Sequence, residues 1–335
     1  MTEGIQELKQ LISFPKEVVI ISHRNPDGDA VGSACGLALY LQKLHHNVKV
    51  IFPSEYTSKY NFIQGIRNSI VFDLDPNGAR QAVDKAELIF CVDLNALDRI
   101  DKLGENVQFS KAKKVMIDHH LDPEPFVDVM ISEVDASSTC ELIFKVIDEL
   151  GDRPKIDPII GECLFTGIVS DTGSFKYATR SYTYEVAAIL KEIGVDDYQL
   201  ADRLFNQQKE KHLRLLGYCL ANRLEVIKEY GVGIMWLSKA DYMKFDIQRG
   251  DTEGIVNYIL MIENVKVAAL VLEQPTIVKI SLRSKGDISV QDMVSKHFNG
   301  GGHKNAAGGS AYASLKDVLS KFRKILPEYL PKIDI

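Results

Sequence analysis

The sequence predicts an α/β protein in two parts: a parallel-sheet domain over residues 1–207 and a smaller α+β C-terminal domain over 224–335, joined by a helical connector over 208–223. Three observations carry this. In the first half, short and nearly continuous apolar runs alternate with helical stretches, the pattern of strands buried on both faces of a parallel sheet. From about Ser137 to Asn222 the periodicity is mainly helical. Beyond that, apolar runs come in pairs around turn residues, as in β-hairpins. The 335 residues suffice for two domains of ordinary size.

Glu17 to Ser22 is the first strand, and Asp29 to Leu44 is the helix after it. Asn47 to Phe52, Glu87 to Val92 and Lys113 to Ile117 are the next three strands. Ser138-x-x-Glu141 is a capping box opening a helix through Glu149, and Gly151 closes it. Asp157-Pro158 opens another, with proline at the first helical position. Tyr182 to Ile193 and Asp197 to Phe205 extend the helical stretch. Gln208 to Arg223 is charged on one side and Leu-rich on the other, which suits a connector. Leu224 to Lys228 and Val232 to Leu237 flank the turn Glu229-Tyr230-Gly231. Val265 to Leu272 and Thr276 to Leu282 flank Glu273-Gln274-Pro275. Helices are predicted over Gly254 to Met261, Ser289 to His297 and Leu315 to Tyr329, with a strand over Ser310 to Ala313.

Composition narrows the class. A hydrophobic fraction of 45% and a charged fraction of 26% are those of a globular protein. No apolar run approaches the ~20 residues needed to span a bilayer. Met1-Thr2-Glu3-Gly4 lacks a basic leader, so a cytoplasmic protein is expected. The five cysteines are scattered, mostly within apolar stretches, and include no C-x-x-C pair, which suits buried thiols rather than disulfides or a thiolate zinc site. A net charge of −6 argues against a broad footprint on duplex DNA. It leaves room for small anionic substrates, because loaded cations attract phosphate locally.

Chemistry-bearing side chains gather where the strands end. Lys114 to Ile117 leads into Asp118-His119-His120, at the edge where open α/β sheets bind ligands. The first strand leads into His23-Arg24-Asn25-Pro26-Asp27-Gly28-Asp29-Ala30-Val31-Gly32-Ser33. Pro26 and Gly28 shape a turn able to aim His23, Asp27 and Asp29 at shared space. An N-cap role explains one aspartate, leaving His23 and the other unexplained. The third strand ends in Asp93, and an apolar helical run ends in Asp171. Each acid alone suits a turn or a cap. Together, three parallel-strand ends deliver Asp and His to one edge of one sheet. Oxygen and imidazole ligands without thiolate suit Mn or Mg, with Zn or Co as further candidates. So many acids suggest two cations, and two metals about 4 Å apart can clamp both oxygens of an in-line phosphoryl displacement.

In the C-terminal half, Gly300-Gly301-Gly302-His303-Lys304 can bring backbone N–H groups and positive charge to a phosphate. For the glycines alone, a flexible bend between the helix ending near His297 and the strand Ser310 to Ala313 is the preferred reading; His303 and the tail Ala306-Ala307-Gly308 shift it toward a phosphate loop. Arg283 alternates away from the apolar Val278, Ile280 and Leu282 and is a candidate phosphate clamp. Arg24 and Arg99 lie in the acidic loops and are candidates to meet substrate phosphate. His45 and His46 lack nearby acids and are expected on the surface, and His212 is expected to be solvated.

These motifs strongly resemble the DHH phosphoesterase family, nearest to its nano-RNase/pAp-phosphatase group, which is related to RecJ-type exonucleases. The H-x-N-P-D-G-D-A-x-G-S motif is complete from His23 to Ser33, and V-D-x-x-x-x-x-R matches Val92, Asp93 and Arg99. The eponymous motif is Asp118 to His120, D-T-G-x-F is Asp171 to Phe175, and Gly300 to Gly309 resembles the G-G-G-H-x-x-A-A-G element of the DHH-associated domain. The resemblance implies one metal on His23, Asp27 and Asp93 and another on Asp29, Asp93, His119 and Asp171, with Asp93 bridging. It implies His120 facing substrate and Asp118 orienting a histidine, with His120, Asp118 and Asp93 as the catalytic group. Arg99, Arg283, Gly300, Gly301, Gly302 and His303 would bind substrate, with domain closure selecting short ones. The cofactors would be two divalent cations, Mn first, then Mg or Co. The implied activity is hydrolysis of short oligonucleotides or of 3′-phosphoadenosine 5′-phosphate to mononucleotides. Alternatives are a cyclic or linear di-adenylate phosphodiesterase and a non-catalytic nucleotide binder. Expected partners are short single-stranded RNA or DNA or a small nucleotide, and no membrane; a homodimer is left open. A Rossmann oxidoreductase is disfavoured, because the first strand does not lead to G-x-G-x-x-G.

Overall fold

The computed structural model describes residues 3–248 and 250–332. The chain forms two compact units, 1–207 and 208–335. The first contains α1 (Glu3–Leu11), β1 (Glu17–Ile21), α2 (Gly28–Lys43), β2 (Asn47–Phe52), β3 (Ile70–Val71), α3 (Pro76–Lys85), β4 (Leu88–Val92), α4 (Leu103–Phe109), β5 (Lys113–Asp118), β6 (Val129–Ser132), α5 (Thr139–Glu149), α6 (Pro158–Asp171), α7 (Ser181–Ile193) and α8 (Asp197–Ala201). Its sheet runs β3-β2-β1-β4-β5-β6, with every pair parallel. Successive side chains point to opposite faces. Val18, Ile20, Phe90, Val115 and Ile117 therefore pack with α2, α5 and α6, while Val19, Ile21, Ile89 and Cys91 pack with α3 and α4. Burial on both faces is why these strands lack polar alternation. Small residues bring α2 onto α6: a Cβ on Gly32 would stand 2.3 Å from the Cys163 carbonyl oxygen.

The second unit contains α9 (Glu210–Asn222), β7 (Leu224–Ile227), β8 (Val232–Leu237), α10 (Lys239–Lys244), α11 (Ile255–Ile259), β9 (Val267–Glu273), β10 (Val278–Ser284), α12 (Val290–His297), β11 (Gly301–His303), β12 (Ala306–Ala311) and α13 (Leu315–Tyr329). Its sheet runs β11-β12-β10-β9-β8-β7, antiparallel except for β8 and β9. One face packs on Met293, Val294, Phe322 and Leu326 of α12 and α13. The other packs on Leu215, Leu216 and Cys219 of α9 and on α11. The helix expected as a connector is thus a layer of this unit. Among the described residues no helix is long and apolar enough to cross a membrane.

Several local expectations change. Ser138 does cap α5, but Glu141 does not complete a capping box. Its buried carboxylate accepts from Ser137 Oγ (2.7 Å), Thr183 Oγ1 (2.5 Å) and Arg180 Nε (2.6 Å); the charged bond from Arg180 is stronger than one from the Ser138 amide would be. His46 is buried rather than on the surface, its Nδ1 accepting from the Lys16 amide at 3.1 Å. His212 is half-buried against the Asp251 carbonyl oxygen, 2.8 Å from its Nδ1. The last strand begins at Ala306, not Ser310.

Candidate metal centre

The chain leaves β1 toward β2 on one side, while β4 lies on the other. That reversal opens a crevice at the carboxyl ends of β1 and β4, where open α/β sheets bind ligands. His23 follows β1 and Asp93 follows β4. Asp93 turns there with a left-handed φ of 54°. Such a backbone costs about 1–3 kcal/mol without glycine; the Asp93 amide is held by the Ile117 carbonyl oxygen at 3.1 Å. Asp118 closes β5, with His119 and His120 next. Asp171 is the last residue of α6.

The ligand atoms of His23, Asp27 and Asp93 lie within 4.8 Å of one another, as do those of Asp29, His119 and Asp171, and those of Asp93, His119 and His120. His23 Nδ1 lies 2.9 Å from the Arg24 carbonyl oxygen, which suits a donor there. That tautomer leaves Nε2, 3.2 Å from Asp93 Oδ2 and 3.9 Å from Asp27 Oδ1, as the lone-pair atom. His119 repeats the device, with Nδ1 3.2 Å from the Ala136 carbonyl oxygen. Its Nε2 is buried and has no hydrogen-bond partner among the described residues. Three carboxylates surround that atom: Asp171 Oδ2 at 3.3 Å, Asp93 Oδ1 at 3.7 Å and Asp29 Oδ2 at 3.9 Å. An orphaned imidazole nitrogen among carboxylate oxygens fits a divalent cation.

The electrostatics fit as well. Burial pushes the pKa of Asp29 well above the usual carboxylate range, and the charges of Asp93 and Asp171 add to this. Burial also pushes Asp171 up to about 6, against its contact with His119. Burial pulls His23 and His119 down, but the first is raised to about 9 by Asp93 and the second to about 10 by Asp171, Asp29 and Asp93. Asp93, although burial opposes its charge, is held well below the usual range by its contact with His23 and by all three imidazoles. A cluster that raises some acids and lowers another is a concentration of negative charge partly balanced by protons, and a cation can replace those protons.

Asp27 caps α2, one oxygen accepting from the Asp29 and Ala30 amides at 3.0 and 3.1 Å. The capping oxygen also lies 3.9 Å from His23 Nε2, so the cap does not draw Asp27 away from the cluster. Asp118, fully buried, holds His120 twice: its oxygens accept from the His120 amide and from Nδ1, both at 2.8 Å. The histidine oriented by Asp118 is thus His120. Arg24 is committed elsewhere, paired with both oxygens of Asp73 (3.1 and 2.7 Å) and with Asp101 (3.2 Å), because two carboxylates flank its guanidinium. Arg99 donates to Asn95 Oδ1 at 3.3 Å. Sequence reasoning missed Thr139 and Cys140, whose amides donate to Asp29 at 2.6 and 2.9 Å. The Ser-Ser-Thr run at a helix start was the available signal.

In the second unit, Arg283 alternates away from the core as expected, and its Nη1 donates to the Leu282 carbonyl oxygen at 2.9 Å. Arg283, Ala306 and His303 form one register row across β10, β12 and β11. The His303 side chain lies outside the described residues. The glycines belong to the β11–β12 hairpin: a Cβ on Gly300 would meet the Gly308 carbonyl oxygen at 2.1 Å, and one on Gly302, at φ 141°, the Ala306 carbonyl oxygen at 2.5 Å. Among the described residues, nothing stands within 4 Å of a Cβ placed on Gly301.

Comparison with known proteins agrees with this architecture. Residues 17–168 match the DHH family, N-terminal domain, and residues 232–331 match the DHHA1 domain. The crystal structure of an exopolyphosphatase-related protein from Bacteroides fragilis superposes with a TM-score of 0.95, at 35% identity over 98% of each chain. The bifunctional oligoribonuclease and PAP phosphatase NrnA of Bacillus subtilis is 27% identical over 92% of this chain and 93% of its own length. The cyclic-di-AMP phosphodiesterase PdeA of Listeria monocytogenes is 28% identical over 93% of this chain but 47% of its own length. A parallel sheet whose fifth strand runs into Asp-His-His, followed by a second unit with a glycine hairpin, is therefore matched over nearly the whole chain: the chain belongs to the DHH family, with an N-terminal DHH domain and a DHHA1 domain.

Proposed function

We propose that the chain is a two-metal phosphoesterase that hydrolyses short oligonucleotides, 3′-phosphoadenosine 5′-phosphate, or both, to mononucleotides. The observation that carries this is the division of Asp93: Oδ2 lies 3.2 Å from His23, while Oδ1 lies 3.7 Å from His119. One carboxylate thus touches both ligand sets, as a bridge between two ions requires. His23, Asp27 and Asp93 would hold one ion, and Asp29, Asp93, His119 and Asp171 the other, with Mn preferred over Mg or Co. Such ions, when bound, supply Lewis acidity toward phosphoryl oxygen and make water more acidic.

The chain's own groups supply the rest. Asp118 accepts from His120 Nδ1 and so sets its tautomer and direction. With Nδ1–H held by Asp118, His120 can take a proton on Nε2 and, as the imidazolium, hand that proton to a departing ribose oxygen, returning to the neutral ring. Arg99 faces the same loop system and can pair with a phosphate. Arg283 and the Gly300–His303 hairpin would hold the substrate's distal phosphate. The similarity to the bifunctional NrnA over nearly all of both chains supports this substrate class. The five buried free cysteines fit a reducing compartment.

A second reading, hydrolysis of cyclic or linear di-adenylate, is favoured by the comparable identity to PdeA. Initial rates with Mn on a panel of 3′-phosphoadenosine 5′-phosphate, short RNA, linear and cyclic di-adenylate, and pyrophosphate separate the readings. The first two substrates should lead. Nucleotide binding without product on any of them would refute an enzyme. Asp93→Ala should abolish turnover; turnover retained in that variant would place the chemistry elsewhere.

A further inference from the structure

The segment from Ala136 to Glu141 touches three of the proposed ligands. The Ala136 carbonyl oxygen lies 3.2 Å from His119 Nδ1. The Thr139 and Cys140 amides occupy the two oxygens of Asp29 at 2.6 and 2.9 Å. The Thr139 hydroxyl donates to Asp93 Oδ1 at 3.2 Å. That oxygen lies 3.7 Å from His119 Nε2 and 3.5 Å from His120 Nδ1, the latter already bonded to Asp118; its sibling Oδ2 lies 3.2 Å from His23. Among the described residues, the contacts of this segment with the proposed ligands therefore fall on His119, Asp29 and the Asp93 oxygen nearer His119.

Thr139 is fully buried, and its hydroxyl has no capping task, since Ser138 already caps α5 by accepting from the Glu141 amide at 3.1 Å. The segment is anchored from behind through Glu141, which accepts from Ser137, Thr183 and Arg180. A hydroxyl donor takes one lone pair of Asp93 Oδ1 and fixes where the other points. We propose that Thr139 is a positioning residue for one ion of the pair, the one on Asp29, His119 and Asp171, acting through the Asp93 oxygen turned toward that ion. This rests on the two-ion reading above.

The test is a calorimetric titration of the full chain, stripped with EDTA and desalted, with Mn2+ alone. The wild-type chain should take up two ions. Thr139→Val keeps the side-chain shape and removes the donor. It should leave one dissociation constant unchanged and weaken the other about 10–100-fold, the range for lost outer partners of a metal ligand. Thr139→Ala should show the same selective loss, and Thr139→Ser, which retains the hydroxyl, should restore most of the affinity. Two unchanged constants in the Val and Ala variants, equal losses at both sites, or a Ser variant as weak as Val would each overturn the inference. A wild-type chain that binds fewer than two ions would instead overturn the two-ion reading, from the wild-type trace alone.

Discussion

Gly167 sits on α6 four residues before Asp171, facing the start of α5. A Cβ there would stand 2.2 Å from Cys140 Sγ, 2.4 Å from Asp29 Oδ1 and 2.9 Å from Cys140 Cβ. Non-bonded carbon contacts lie near 3.5–4.0 Å, so Gly167→Ala forces a retreat of about 1 Å. Asp29 can retreat only by stretching its hydrogen bonds to the Thr139 and Cys140 amides. Overpacking costs about 1–3 kcal/mol, and a hydrogen bond to a charged group is worth about 1.5–3 kcal/mol. Both costs arise from one displacement, so they overlap at about 2–4 kcal/mol rather than add. Alanine's higher helix propensity returns about 1 kcal/mol. The expected net loss is about 1–3 kcal/mol, read from urea unfolding of the EDTA-treated chain. Manganese titration should show one of two sites weakened about tenfold or more, since 1.4 kcal/mol is a factor of ten. Adding Cys140→Ala removes the 2.2 Å contact but leaves the one to Asp29, so it should restore only part of the loss. A Gly167→Ala chain within about 0.5 kcal/mol of wild type, with both manganese constants intact, would refute this account of how α6 packs against the centre.

Asp118→Asn keeps the shape but cannot enforce the same His120 tautomer; kcat should fall about 10²-fold or more with little change in KM, and an unchanged kcat would remove His120 from proton transfer. Before metal is added, His23 and His119 are raised to about 9 and about 10. Their ion pairs therefore stabilise the metal-free chain below about pH 6.5, and that contribution is lost as pH rises through those values. Manganese uptake at pH 7 should expel protons into a weakly buffered solution, and affinity should climb toward pH 9; uptake without proton release contradicts this. In the second unit, buried Asp241 is held well below the usual range by Arg223, Tyr218 and Ser238, outweighing the effect of burial. Its stabilisation is present above about pH 3.9 and lost as pH falls toward the lowered value. Asp241→Asn should cost about 2–4 kcal/mol at pH 7, a gap that closes in acid; a gap constant with pH would mean the charge is not what matters.

Elements whose signal is local and strong were legible in the chain. The apolar runs of β1, β2, β4 and β5 and the Asp157-Pro158 start of α6 declare themselves within a few residues. Weak signals failed. β6 is a short edge strand with Met130 exposed, so only its pairing with β5 defines it. α3 carries an Asp75-Pro76 start, the same cue as α6, but buries only Ala79 and Val83, so its apolar periodicity is faint. His46 looked exposed because no acid neighbours it in the sequence. Its partner, the Lys16 amide, is 30 residues away.

The ligand types of the centre, their order along the chain and the strand ends that bear them follow from periods of two and 3.6 residues and from turn chemistry, all properties of near neighbours. The allocation of each polar atom does not. Arg24 pairs with Asp73, 49 residues on; Glu141 leaves its capping box for Arg180, 39 residues on; and Thr139 reaches Asp93 across 46 residues. Such choices are made by desolvation and charge at distances set when helices and sheet pack together, and no window of neighbouring residues contains them.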